Sequence, residues 1–305
     1  MSIFNNIGKY QNKNALIAEK NESIDYKTIL SVSDKLCKQI KSRSLVFLIC
    51  GNNVESILGY ISFLKTNCVI TLLDERTNNF NLKSLIKVYN PRFLFIKKNC
   101  IFLEEYEKVL SFKNFDLLKR KKEFKIDLND KLSLLISTSG STGSSKLVRI
   151  SEKNLYENTK SIVNYLKISK TDICITTLPM SYVYGLSIIN THLHKGCTLV
   201  LNEHSVIDKN FWISLIKNKV TTFSGVPYTY QMLDKINFYN KDLKYLKYLT
   251  QAGGKLDSRI NKKILENFCN KKRDFIVMYG AAEATARMSF LPSEFSNKKI
   301  GSIGI

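Results

Sequence analysis

Short apolar runs alternate with longer amphipathic stretches along the whole chain. Residues 45–50 are a continuous apolar run of strand length, and 54–65 follow with Ile57, Leu58, Ile61 and Leu64 at helical spacing. The alternation continues with a strand at 68–73, a helix at 82–89 and a strand at 92–96. A basic stretch, 112–125, interrupts it and reads as a connector, so a subdomain boundary is expected within 112–130. Beyond it the pattern predicts strands at 131–137, 173–177, 197–201, 221–224, 245–250 and 275–279. Helices are predicted at 152–166, 185–194, 209–218, 228–236 and 258–268. Such alternation means an α/β architecture with largely parallel sheets covered on both faces. Chemistry in these folds sits in loops beyond the carboxyl ends of the strands, so those turns carry the functional information.

Composition narrows the function classes. Hydrophobic residues make up 44% of the 305 and charged residues 24%, which is globular rather than disordered. The longest apolar runs are about six residues, against the roughly 20 of a membrane-crossing helix, so no membrane span is expected. The first ten residues, MSIFNNIGKY, have no charged segment leading into an apolar one, so no signal peptide is expected. The formal charge of +21 alone would point to nucleic acid or another polyanion. Its distribution argues otherwise: 39 Lys against 8 Arg are spread along the chain together with 28 Asn. Lys and Asn share A/T-rich codons, so base composition can produce the bias without selection for a partner, and nucleic acid is not the expected partner. The densest cluster, Lys119-Arg120-Lys121-Lys122, is short and is followed by Glu123. Seven Cys include no C-x-x-C pair and mostly lie in apolar runs, which suits reduced thiols and a cytoplasmic protein. His192, His194 and Cys197 are close in sequence, but no carboxylate completes a ligand set, so no metal is expected there.

The turn after the strand at 131–137 is the most informative. It reads Thr138-Ser139-Gly140-Ser141-Thr142-Gly143-Ser144-Ser145-Lys146. Hydroxyls, backbone N–H groups freed by Gly140 and Gly143, and one ammonium together suit a polyphosphate. It is not a Walker A loop: the second Gly comes too early, Leu147 follows the Lys, and 147–150 reads as a strand rather than a helix. A flexible Ser/Gly hairpin linker fits the same composition.

This loop resembles the signature of the AMP-forming adenylate-forming superfamily, which includes acyl-CoA synthetases, luciferases and peptide-synthetase adenylation domains. That signature reads roughly [ST]-S-G-[ST]-T-G-x-P-K-G; here Ser145 replaces the Pro and Leu147 the Gly. Further segments resemble the family's motifs in the family's order. Leu178-Pro179-Met180-Ser181-Tyr182-Val183-Tyr184-Gly185 looks like the segment lining the carboxylate pocket, with Tyr182 where His or an aromatic residue is common. Gly225-Val226-Pro227 looks like its G-V-P turn, and Ala252-Gly253-Gly254-Lys255 like its loop against adenine and ribose. Met278-Tyr279-Gly280-Ala281-Ala282-Glu283 looks like Y-G-x-T-E, and Gly301-Ser302-Ile303-Gly304 like the turn after it. Ile24-Asp25-Tyr26 looks like the entry motif near the family's start.

The resemblance implies two stacked, largely parallel sheets flanked by helices, over a single AMP-binding region spanning 1–305. It implies ATP-dependent activation of a carboxylic acid as an acyl-adenylate, then transfer to CoA or to the phosphopantetheine of a carrier protein. In that scheme Thr138, Ser139, Gly140, Ser141, Thr142, Gly143 and Lys146 hold phosphates. Gly253, Gly254, Tyr279, Gly280 and Ala282 line the nucleotide. Glu283 holds Mg²⁺ with Thr142 near it, Lys146 and Glu283 are the catalytic positions, and Tyr182 and Gly185 belong to the acid pocket.

Two departures qualify the expectation. Ala282 stands where the family has Thr, which removes a hydroxyl otherwise aimed at the α-phosphate. The family's third strand-rich subdomain, its hinge and its C-terminal domain with a catalytic Lys lie beyond Ile305, the last residue here. The expectation is therefore an impaired ligase, or one dependent on a separately encoded C-terminal piece; the alternative is an inactive nucleotide- or acyl-binding remnant. An exposed apolar surface is expected around 301–305.

Overall fold

The computed structural model describes residues 3–18, 22–124, 126–137, 146–269 and 273–305. The chain begins with β1 (Asn14–Ile17), β2 (Ser23–Asp25) and α1 (Tyr26–Cys37), then alternates β3 (Leu45–Cys50), α2 (Val54–Lys65), β4 (Val69–Asp74), α3 (Asn79–Tyr89) and β5 (Phe93–Lys97). A hairpin, β6 (Tyr106–Phe112) and β7 (Phe115–Arg120), is followed by β8 (Leu132–Ser137) and β9 (Leu147–Ser151). The second half runs α4 (Glu152–Tyr165), β10 (Ile173–Ile175), α5 (Val183–His194), β11 (Thr198–Val200), α6 (Lys209–Lys217), β12 (Thr222–Gly225), α7 (Pro227–Lys235), β13 (Tyr248–Gln251), α8 (Ser258–Asn267), β14 (Asp274–Ala281) and β15 (Ala286–Phe290).

The strands form two sheets. One has the order β15-β14-β13-β12-β10-β11-β1-β2, the other β6-β7-β5-β3-β4-β8-β9. The centres are parallel: β10, β11, β12, β13 and β14 in the first, β3, β4, β5 and β8 in the second. Antiparallel pairs lie towards the edges, among them β1–β2, β14–β15, β6–β7 and β8–β9. This is the α/β architecture that the alternation implied, in the two largely parallel sheets that the family resemblance implied.

The buried runs explain the centres. All six residues of β3 are buried, as a strand covered on both faces requires. Helix α2 starts where the Asn53 side chain accepts from the Ser56 N–H, and buries every residue from Val54 to Leu64. A Cβ on Gly59 would lie 2.7 Å from the Phe95 ring, so glycine lets α2 approach β5. Helix α5 is buried from Val183 to Leu193 and joins the two sheets. Its Ile188, Ile189 and Leu193 share one core with Val46 and Leu48 of β3 and Leu199 of β11. Separate cores cover the outer faces: Phe211, Leu233 and Ile264 behind the first sheet, Leu82 and Ile86 behind the second. No described helix is long and apolar enough to cross a membrane.

The predicted elements appear within a few residues of their expected ends, with additions. The stretch expected as a basic connector contains β7, and β6 ends inside it. Phe115 and Leu117 alternate inward, while Lys113 in the hairpin turn is exposed and Lys119 and Arg120 lie half-buried at the far end of β7. The chain returns to the same sheet with β8 and β9 and changes sheet only after Ser151. Strands β1, β2 and β15 and helix α1 had no predicted counterpart. The apolar surface expected near 301–305 is present: Met288, Ile303 and Ile305 are exposed, and Ile305 exchanges two backbone hydrogen bonds with Phe290.

Candidate functional site

Parallel strands bring their carboxyl ends to one edge, and the turns singled out in the sequence meet there. Helix α5 begins at Tyr182, whose side chain does not cap it. Turn 178–182 folds back on the helix so tightly that a Cβ on Gly185 would lie 2.1 Å from the Pro179 carbonyl oxygen. Strand β12 ends in Gly225, and Pro227 opens α7 at its first turn, where the missing N–H costs nothing. Strand β13 ends at Gln251, and its side-chain amide donates to the Gly254 carbonyl at 2.8 Å, which fixes the loop between them.

Gly253 and Gly254 take φ of +83° and +157°. A Cβ on Gly253 would sit 2.7 Å from the Tyr182 hydroxyl and 3.1 Å from Val226 Cγ1; one on Gly254 would sit 3.2 Å from Pro227 Cγ. Three segments separated by up to about 70 residues in sequence thus touch: Tyr182, Val226-Pro227 and Gly253-Gly254. The floor beneath them is a hydroxyl relay. Tyr184 Oη lies 2.9 Å from Thr250 Oγ1, which lies 2.7 Å from Ser224 Oγ. The Tyr230 hydroxyl donates to the Thr250 carbonyl, and Thr177 Oγ1 donates to that of Ser224. Burial pushes the phenol of Tyr184 up to about 12 despite the opposing charge of Arg287, so it is neutral at pH 7.

Strand β14 carries the fourth segment. Its pairing with β15 shifts register between Tyr279 and Gly280, and a Cβ on Gly280 would meet the Ala286 oxygen at 1.7 Å. The Tyr279 ring is 46% exposed. Ala282–Ala284 is a single 3₁₀ turn that presents Glu283 to solvent and leaves Ala282 half-buried. It closes on Thr285, a β-branched residue held at φ +72°, a conformation that costs about 1–3 kcal/mol.

The phosphate-loop residues Thr138, Ser139, Gly140, Ser141, Thr142 and Gly143 lie outside the described residues. Their frame is described: Ser137 pairs with Leu147 across β8 and β9. Lys146, immediately before β9, is exposed. Strand β9 approaches the Ala282–Ala284 turn, with Cα atoms within 8 Å. Strand β9, which follows Lys146, and the Glu283 turn are therefore neighbours.

The two sheets are tied near this edge. Ser181 Oγ donates to Asp74 Oδ2 at 3.1 Å, and Arg76 binds both oxygens of the same carboxylate. The hydrogen bond from Arg76 holds the Asp74 carboxyl below its usual range. Asp74 was not among the expected residues; a single Asp after a buried strand carries no motif. The same is true of Ser224 and Thr250, which read as ordinary strand residues. Among the described residues no cluster of three His, Cys, Asp or Glu side chains is arranged to hold a metal. His192 Nδ1 faces the Ile188 carbonyl and His194 Nδ1 the Ile3 carbonyl, so the two imidazoles serve separate backbone partners.

The profile of the AMP-binding enzyme family matches residues 3–305. Luciferin 4-monooxygenase of Photuris pensylvanica is 23% identical over 90% of this chain and 57% of its own length. 2-Succinylbenzoate–CoA ligase of Bacillus subtilis (strain 168) is 22% identical over 95% of this chain and 60% of its own. The solved o-succinylbenzoate CoA synthetase from Bacillus subtilis, in complex with its acyl-adenylate intermediate, superimposes with a TM-score of 0.80 at 18% identity. That superposition covers 99% of this chain and 63% of the other. The chain thus spans less than two thirds of the length of these relatives.

Proposed function

Because the chain belongs to the AMP-binding enzyme family, and that family's adenylate-forming ligases supply its relatives, we propose that it binds Mg·ATP and a carboxylic acid and joins them as an acyl-adenylate. The supporting observation is the convergence of Tyr182, Val226-Pro227 and Gly253-Gly254 at the carboxyl edge of one sheet, with Tyr279 on the next strand and Glu283 on the turn that follows it.

The residues fit that use. Gly253 and Gly254 leave bare backbone where a side chain would collide, which suits close approach of a ribose or base. The half-exposed Tyr279 ring offers a flat apolar face to a purine. Thr138, Ser139, Gly140, Ser141, Thr142, Gly143 and Lys146 would cradle the phosphates. Glu283 is an exposed carboxylate, a hard oxygen donor suited to Mg²⁺, with Thr142 as a second oxygen. Bound Mg²⁺ would neutralise charge on the phosphate oxygens. The acid's carboxylate oxygen would attack the α-phosphorus, forming the C–O–P linkage as the bond to pyrophosphate breaks. Tyr182 and Gly185 would orient the acid at the amino end of α5. Thioester formation on CoA or a carrier phosphopantetheine would follow, with the lysine-bearing C-terminal domain of the longer relatives supplied in the same or another polypeptide. The 178–185 segment itself contains no Asp, and the Asp74 carboxylate beside Ser181 is already held by Arg76, so an acyl or aryl acid fits better than an amino acid.

Calorimetric titration with Mg·ATP tests the reading. Saturable binding in the wild type, weakened at least roughly tenfold in Lys146→Ala, is expected. A folded wild-type chain that binds no Mg·ATP would refute nucleotide use and leave the inactive remnant motivated by Ala282.

A further inference from the structure

Arg287 lies in β15, one strand from Tyr279 and just after the turn that carries Glu283, and is 6% exposed. Its backbone carbonyl accepts from Asn158 Nδ2 of α4 at 2.9 Å. The guanidinium turns inward. Its Nε donates to Ser187 Oγ at 3.1 Å, Nη1 approaches Met278 Sδ at 3.8 Å, and Cζ lies 5.0 Å from the centre of the Tyr184 ring. Tyr165 also hydrogen-bonds the guanidinium; all four partners are neutral, and among the described residues no carboxylate pairs with Arg287. The titrating groups that sense its charge are Tyr165, Tyr184, Tyr248, Cys174 and His192, none of which is an anion at pH 7.

A buried cation without a counter-ion is costly, and proteins normally pair it. Nor does the nearest helix compensate. Tyr184 and Ser187 belong to the first turns of α5, where free N–H groups already make the surroundings positive. The Tyr182 side chain does not cap that end. The buried guanidinium and the amino end of α5 therefore reinforce each other, and both favour an anion.

We propose that Arg287 is a specificity-determining residue: its unbalanced charge draws the carboxylate of the ligand to the amino end of α5, beside Tyr182. The proposal rests on the acid-activating function above and names the residue that makes the pocket prefer an anion over its neutral analogue. Tyr184 connects the two parts, since the guanidinium lies against its ring and its hydroxyl joins the Thr250–Ser224 relay under Gly225 and Gly253.

The test uses the full chain and the smallest carboxylate probe, sodium acetate, against sodium chloride of equal ionic strength and against acetamide. The readout is the thermal unfolding midpoint, which rises with any ligand that binds only the folded state. Wild type and Arg287→Lys should be stabilised by acetate and not by acetamide. Arg287→Met should lose the acetate-specific increment, corresponding to an affinity loss of roughly tenfold for one removed charge acting through the Tyr184 ring. In chloride, Arg287→Met should unfold no earlier than wild type, because the unpaired charge is gone and the side-chain volume is similar. Should that variant fail to fold, Arg287→Gln serves in the same comparison. An equal acetate increment in wild type and the uncharged variant, or no increment in wild type, overturns the proposal. Mg·ATP titration of the same proteins keeps the two ideas apart: absent nucleotide binding in wild type counts against the acid-activating function, while the acetate response is read without nucleotide.

Discussion

The Tyr182 hydroxyl lies where a side chain on Gly253 would begin: a Cβ built there comes within 2.7 Å of it. These residues are 71 positions apart by their numbers, and the close approach exists because β12 and β13 are parallel neighbours whose loops emerge on the side where α5 starts. Gly253→Ala should therefore act twice. The methyl must displace the phenol, and the backbone at φ +83° becomes strained by about 1–2 kcal/mol. Mg·ATP affinity is expected to fall roughly tenfold, with little change in the far-ultraviolet circular dichroism. Tyr182→Phe shortens the obstructing side chain by its oxygen. In a double-mutant cycle the two changes should be non-additive, with part of the loss recovered. Strict additivity would mean that the loop and the ring do not communicate.

Among the described residues Glu283, on an exposed 3₁₀ turn, has no hydrogen-bond or charge partner, unlike the paired carboxylate of Asp74. Removing its charge should therefore affect ligand binding and leave folding untouched. Glu283→Gln is expected to weaken ATP binding in the presence of Mg²⁺ by roughly ten- to a hundredfold, the scale of a hydrogen bond or ligand contact to a charged group. Binding of ATP in EDTA should be unaffected, and unfolding in urea should match wild type within about 0.5 kcal/mol. An equal loss with and without Mg²⁺ would assign Glu283 a role other than metal binding.

Acid should destabilise the protein through His192. Burial, with the Arg287 charge adding to it, pulls this imidazole from 6.5 down to about 4. The folded value is depressed, so the unfolded chain takes up the proton first as pH falls. The contribution of this neutral imidazole to stability is fully present above about 6.5, declines between 6.5 and 4, and is fully lost below 4. A difference of that size corresponds to about 3 kcal/mol in total. Asp74 also contributes less in acid, but its carboxyl is held low by Arg76, so its loss comes only below its ordinary 3.8 and outside this window. Urea unfolding at pH 7, 5.5 and 4.5 should show the decline in wild type and a flatter profile in His192→Asn. Identical slopes would place the acid sensitivity on other groups.

The centre of each sheet was legible in the sequence because it is buried on both faces. Runs such as Leu45–Cys50 then need no alternation to be recognised, and their loops could be read as site candidates. Edges were not legible. β1 and β2 are four and three residues long, and pairing with β11 and with each other defines them more than any local preference. The β6–β7 hairpin was concealed by its Lys and Arg residues, the feature that suits an edge. At the site, motif residues were visible because glycines and a proline leave a signature at close approaches. Ser224, Thr250 and Arg287 were not, because a hydroxyl or a guanidinium gains meaning only from what the fold places beside it. Arg287 in particular follows Ala-Thr-Ala on a strand that the periodicity did not predict.

Ala282 offers a test in the direction of gain. It is half-buried at the start of the turn that carries Glu283, near the approach of β9, and a methyl there can neither donate nor accept a hydrogen bond. Ala282→Thr adds one hydroxyl and one methyl on a turn residue that is not fully enclosed. A hydrogen bond to a charged phosphate oxygen is worth about 1.5–3 kcal/mol, so Mg·ATP should bind roughly ten- to a hundredfold more tightly if the α-phosphate passes this point. Adenosine, which has no phosphate, should bind as before, and that separates a new phosphate contact from general tightening of the turn. Ala282→Val, with the shape of Thr and no hydroxyl, should give no gain and is the control for packing. Equal improvement in the Thr and Val variants would mean that the turn had only been stiffened. A Thr variant indistinguishable from wild type towards ATP, with Lys146→Ala still damaging, would mean that the phosphates enter along the loop after β8 without reaching the turn at 282.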